Sequence, residues 1–273
     1  MNLANMHTVL IGSIAFFLYL IAAILLGLRL KRRSTSASTK WQALGAGFVA
    51  VSLHGWLVFE LLFTSIGLNL GLFSAISLIT WMISLLLIFS SLTQPTENLT
   101  IFVFPSAAVG VALAAIFGNE QHIVNTFDTT IEIHILISIM AYSLLSLAAV
   151  QAMLLAVQDK HLRDKRPGGF IRTLPPLQTM ETLLFQMIGV GFALQSLSLI
   201  SGLIFIEDIF AQHLVHKTVL SIIAWGIFAV LLWGRWRFGW RGRTAIRWTL
   251  IGFVALLLSY VGSKVVLEII LGA

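Results

Sequence analysis

Apolar runs long enough to cross a lipid bilayer recur along the whole chain, and only short polar breaks separate them. Eight can be placed, at roughly residues 7–28, 42–64, 70–92, 99–117, 130–157, 179–204, 214–234 and 248–271. Each is close to the ~20 residues that carry a helix across the hydrocarbon core. The expected architecture is therefore all-α: a polytopic integral membrane bundle of eight transmembrane helices. Composition agrees, with 58% hydrophobic and 10% charged residues and a mean hydropathy of +0.97, values outside the range of a water-soluble domain. Loops this short leave no room for a soluble module, so residues 1–273 read as one integral membrane domain. The first run has neither a basic leader nor a small-residue cleavage pattern and is expected to be a retained span.

The polar breaks alternate in charge. KRRSTSASTK, QDKHLRDKRPGGFIRTLPP and RWRFGWRGRTAIR hold nearly all the lysines and arginines, while Glu60, Glu120, Asp128, Glu132, Glu207 and Asp208 fall at the opposite helix ends. Basic loops stay in the cytoplasm, so these breaks are expected inside and both termini outside. The net charge of +6 then belongs to membrane topology and to attraction for anionic lipid. It does not describe a basic surface for nucleic acid, and no nucleic-acid partner is expected.

Cysteine is absent, which excludes disulfides, thioether attachment and thiolate ligands. A metal site here must use nitrogen, oxygen or thioether sulfur. Among the seven histidines, His134 opens the fifth run and His216 the seventh. Both runs lead from outside to inside, which puts the two at nearly the same outer depth. Side-by-side packing of those spans could bring the rings to opposite faces of a planar cofactor, and neutral imidazole is a good axial ligand for haem iron. The plainer alternatives are interface histidines bonded to loop backbone, helix-start caps, or another metal or proton role. His54, in LHGWLVFE, lies within the second run, where an ionisable group usually faces protein or a cavity. It is either a second ligand and access-path residue or an internally satisfied hydrogen-bonding group. His213 is assigned a supporting role, because tetrahedral zinc needs more convergent ligands than Glu132, Glu207 and Asp208 offer. His7, His122 and His161 read as surface residues.

Other constellations carry less chemistry. Lys217 either meets an anionic group or snorkels to the interface. Glu181, after the Pro175–Pro176 pair, is a helix-start partner or a salt bridge to GWRGRTAIR. Ser138, Ser143 and Ser146 are small packing residues with no triad to serve. Gln151 and Gln195 are expected to tie helices together, with Tyr142 at their seam. No phosphate-binding loop is present.

The segments HILISIMAYSLLSLAAVQAMLL, LPPLQTMETLLF, HKTVLSIIAWGIFAVLLWGR and GWRGRTAIRWTLIGFVALLLSYVG resemble the cytochrome c assembly, or haem-handling, family of membrane proteins, most closely its short bacterial YpjD-like branch. The resemblance is strongest over residues 130–273. It implies a multi-pass protein of the bacterial inner membrane that presents non-covalent haem b at the outer face during cytochrome c biogenesis, beside other assembly proteins. By the same resemblance His134 and His216 match paired outer-face histidines, and His54 an intramembrane histidine of some branches. The chain has no tryptophan-rich WGxxWxWD-like loop between the pair; the brief FIEDIFAQHL stands there. The reading is binding and presentation rather than turnover. Two other classes stay open: a divalent-metal or small-substrate transport component, and a noncatalytic assembly factor.

Overall fold

The computed structural model describes residues 3–31, 37–64, 67–118, 123–124, 129–164, 174–205, 212–262 and 265, with the side chains of 3–5, 37, 123–124, 129, 205 and 212–216 outside that description. Eight helices are long and apolar enough to cross a membrane. They are α1 (Leu3–Lys31), α2 (Ala37–Leu62), α3 (Leu72–Thr93), α4 (Thr100–Phe117), α5 (Thr129–Arg163), α6 (Leu177–Phe205), α7 (Gln212–Phe238) and α8 (Gly242–Leu257), the last continued by a π-helical turn, Leu258–Gly262. The protein is an all-α multi-pass membrane protein, as its hydropathy predicts.

Helix ends depart from the apolar runs where backbone chemistry rather than hydropathy sets them. α7 runs on through Arg235 and Arg237 to Phe238 and stops at Gly239, whose φ of +67° favours glycine. The Gly239 N–H closes on the Arg235 carbonyl at 3.1 Å, a left-handed helix stop. α8 then starts at Gly242, earlier than the apolar run at residue 248, because its first turn is polar and hydropathy does not register it.

The helices form two compact units. One comprises residues 1–127 with 168–174, the other residues 128–167 with 175–273. In the first, α1 packs on α2 and α4, and α3 packs on α2 and α4, so that the four helices make a ring. In the second, α5 packs on α6 and α8, and α7 packs on the same two. Lipid supplies no hydrophobic drive between helices, so close packing and interhelical hydrogen bonds must hold each ring. In the first unit Ala15, Leu57, Val111 and Ala115 form a buried cluster. Gly12 lets α1 and α4 touch there, since a Cβ at that position would lie 2.9 Å from the Ala115 Cβ. Large apolar side chains such as Phe17 and Leu203, more than 60% exposed, point outward, as a lipid-facing surface requires.

Three very short strands, which the sequence reading leaves as loop or helix end, close one end of the first unit. β1 (Phe63–Thr64), β2 (Gly67–Asn69) and β3 (Ile123–Val124) pair antiparallel in that order, with Phe63 opposite Leu68 and Leu68 opposite Val124. Asn69 braces the join: its Nδ2 donates to the Gly118 carbonyl at 3.3 Å and its Oδ1 accepts from the Gly71 N–H at 3.2 Å. At the other end Glu97 holds Arg29 of α1 at 3.2 Å and Lys40 of α2 at 2.8 Å. In the second unit Glu181 is a salt-bridge residue, bonded to Arg235 and Arg241, not a first-turn partner of α6. Each unit thus gathers basic groups at one end, the pattern expected of consecutive helices that alternate in direction.

Candidate functional site

His134 lies near the start of α5, and its half-buried ring faces α6. Ser138 is one turn further along α5; on α6, Ser198, Ser201 and Gly202 share a face by their i, i+3, i+4 spacing. The His134 Nδ1 is 2.8 Å from the Ser201 Oγ, and the Ser201 hydroxyl donates to the Ser198 carbonyl at 2.9 Å. A serine has one proton to give: with it on the Ser198 carbonyl, Ser201 accepts at Nδ1 and Nδ1 carries the hydrogen, whereas with it on Nδ1 the tautomer is reversed. In the first arrangement the lone pair of the neutral ring is at Nε2. Beside this pair, Ser138 donates to the His134 carbonyl at 2.7 Å and meets the Ser198 Oγ at 2.6 Å. Gly202 gives the ring its space: a Cβ there would sit 3.2 Å from Cε1.

This is how ligating histidines are prepared. One nitrogen is fixed by a hydrogen bond, which sets the tautomer and the ring plane, and the other is left for a metal. Ser138 is legible from the sequence as a packing residue, but Ser198, Ser201 and Gly202 are not singled out there. The available signal is a small-residue face on α6 opposite a histidine and a serine four residues apart on α5.

His216 belongs to the first turns of α7, but its side chain, like that of His213, lies outside the described residues. His122 lies outside them altogether. The backbone just after His216 is well held. The Lys217 carbonyl accepts from Ser259 of the π-helical turn at 2.8 Å, Ser259 meets Ser221 at 2.8 Å, and Gln195 of α6 donates to the Ser221 carbonyl at 3.1 Å. Trp225 stacks on Phe192, ring centroids 5.5 Å apart, and donates to Ser196 at 2.9 Å. The expected side-by-side packing of the fifth and seventh spans is not what the ring shows. α5 and α7 are diagonal partners, each flanked by α6 and α8, so residues at their starts can approach only across the end of the ring.

His54 belongs to the first unit and is fully buried. Its Nδ1 is 3.1 Å from the Tyr19 hydroxyl on α1 and its Nε2 2.8 Å from the Ser77 Oγ on α3. The Tyr19 ring meets it edge-on at 5.7 Å. Both nitrogens are engaged, so this histidine ties three helices together; a metal could reach it only after Ser77 or Tyr19 let go. Trp56, two residues further on, is exposed and donates to Glu60 at 2.8 Å. No group of three histidine or carboxylate side chains able to hold a metal ion occurs among the described residues.

Comparison with known proteins supplies the lineage. Residues 46–271 match the model of the family described as cytochrome C assembly protein. The chain belongs to the cytochrome c assembly family. Within that family it is 34% identical to the inner membrane protein YpjD of Escherichia coli strain K12 over 206 residues, 75% of this chain and 77% of that one. It is also similar to the protein HemX of Brevibacillus brevis, at 24% identity over 47% of this chain and 48% of the relative. The cytochrome c biogenesis protein CcsA of Gloeobacter violaceus matches at 31% identity over 35% of this chain and 29% of its own length. No solved structure matches the chain.

Proposed function

We propose that this protein binds haem b non-covalently at the outer end of its second helical unit and presents it there during cytochrome c biogenesis. The observation that carries the reading is the setting of His134: a half-buried ring near the start of α5, its Nδ1 bonded to Ser201 and its space left by Gly202. His216, at the start of the diagonal helix α7, would be the second residue to hold the haem. Held by two imidazoles, the haem would have low reactivity toward small ligands, suited to custody rather than catalysis. The chain's own residues do the rest. Ser201 and Ser198 hold the His134 tautomer, Gly202 keeps the ring face open, and Ser259, Ser221 and Gln195 fix the register of α7 just past His216. His54 is proposed as a second site only in a conformation that releases Ser77 or Tyr19. Names among the relatives, a cytochrome c biogenesis protein and an inner membrane protein, support the process and a bacterial inner-membrane location.

The test is haem content after purification from cells supplied with haem. Wild type and His54→Ala are expected to retain haem at near equal stoichiometry, and His134→Ala with His216→Ala to lose it at equal yield. A well-folded wild type without haem, or a double variant that keeps it, contradicts the proposal and favours a transport or purely structural role.

A further inference from the structure

The turn between α7 and α8 carries Arg235, Arg237, Arg241, Arg243 and Arg247 within one stretch of sequence, and the structure divides them sharply. Arg235 and Arg241 both donate to the Glu181 Oε1, at 3.2 and 3.0 Å, and Arg235 also lies 4.6 Å from the Phe185 ring centroid. Arg243 shares Asp159 with Arg163. These groups are committed to holding the turn. Arg237 and Arg247 are exposed and have no carboxylate partner among the described residues.

The turn that presents them is built rigidly. The Trp240 N–H reaches the Gly234 carbonyl at 3.2 Å, and Arg235 donates to the Trp240 carbonyl at 3.2 Å. The Trp240 ring folds over Gly234, where a Cβ would fall inside it, and packs on Trp248 at 5.6 Å. Around this frame Trp233, Trp236 and Phe238 are outward-facing, Trp236 at 83% exposure. Aromatic rings bared beside unpaired guanidinium groups, at the end of a membrane-spanning helix, match the depth at which lipid headgroups lie. Guanidinium is the side chain best shaped for phosphate oxygens.

We propose that this turn is a binding site for anionic phospholipid, with Arg237 and Arg247 each offering a guanidinium to headgroup phosphates and Trp236 and Phe238 lying against the acyl-chain boundary. The site is independent of the histidine site and stands or falls without it. Each arginine near an anionic headgroup contributes about 5-fold in affinity, so the pair contributes roughly 30-fold.

The full-length protein in neutral detergent is titrated with phosphatidylglycerol, phosphatidylcholine or inorganic phosphate, with bound lipid read by native mass spectrometry and stability by thermal unfolding. Phosphatidylglycerol is expected to bind saturably and raise the unfolding temperature, while phosphatidylcholine and phosphate do neither. Arg237→Gln with Arg247→Gln is expected to bind about 30-fold more weakly, and the paired lysine variant to recover part of the loss. If the pair lowers expression, the single glutamine variants are read instead, each about 5-fold weaker. Unchanged lipid affinity in the glutamine variants overturns the proposal. So does equal binding of phosphatidylcholine, the same stabilisation by phosphate alone, or tighter binding of polyglutamate, which would assign the turn to an acidic protein segment.

Discussion

Ser201 is the residue that sets the His134 tautomer, since the direction of its bond to Nδ1 fixes which ring nitrogen keeps the lone pair. Ser201→Ala removes the partner at Nδ1, frees the ring to rotate and to exchange tautomers, and is expected to weaken haem affinity by about 10–100-fold. Ser201→Thr keeps the hydroxyl and should restore most of it; haem titration followed at the Soret band distinguishes the two. His54 is a different kind of residue. His54→Ala leaves the Tyr19 and Ser77 hydroxyls short of a buried partner and opens a small void, a loss of about 2–4 kcal/mol. Thermal unfolding in detergent reads that loss, which is expected to leave the haem stoichiometry intact. Both histidines are visible in the sequence because an ionisable group in an apolar run stands out. Their partners are not, since serine and glycine are ordinary packing residues in membrane helices until a fold brings them against a ring.

At the scale of the element, the turn from α7 to α8 depends on Glu181, the single carboxylate that accepts from Arg235 and Arg241. Glu181→Gln removes the charge that both guanidinium groups share. The pair is neither fully exposed nor fully buried, so the expected cost is about 1–2 kcal/mol, between the limits for surface and interior ion pairs. The measurement is again thermal unfolding, with high salt expected to narrow the gap between variant and wild type. Helix existence was legible here because ~20-residue apolar runs admit little else. Helix ends were less so: hydropathy marks where lipid stops, whereas α7 continues until Gly239 takes its left-handed conformation. The strands β1, β2 and β3 are two or three residues long and too short to show an alternating pattern.

For the whole molecule, the distribution of charge predicts orientation. The chain has no cysteine, so single cysteines report sidedness without a background. Thr244→Cys, at the basic start of α8, is expected to react with an impermeant maleimide only after cells are opened, and Glu60→Cys in intact spheroplasts; the reverse pattern would invert the proposed topology. The division into two four-helix units was not evident from hydropathy, which shows only eight runs in a row and nothing of which helices share a ring. Family membership covers both units, since the matched region begins at residue 46 and ends at residue 271.

The proposal that His134 and His216 hold haem at one end of the second unit is tested most directly by counting those ligands. Electron paramagnetic resonance of the oxidised, haem-loaded protein is predicted to show a low-spin bis-imidazole centre in wild type. His134→Gly is predicted to convert it to a high-spin species that free imidazole returns to low spin. A low-spin centre unchanged by His134→Gly, or a high-spin centre in wild type, would contradict the assignment.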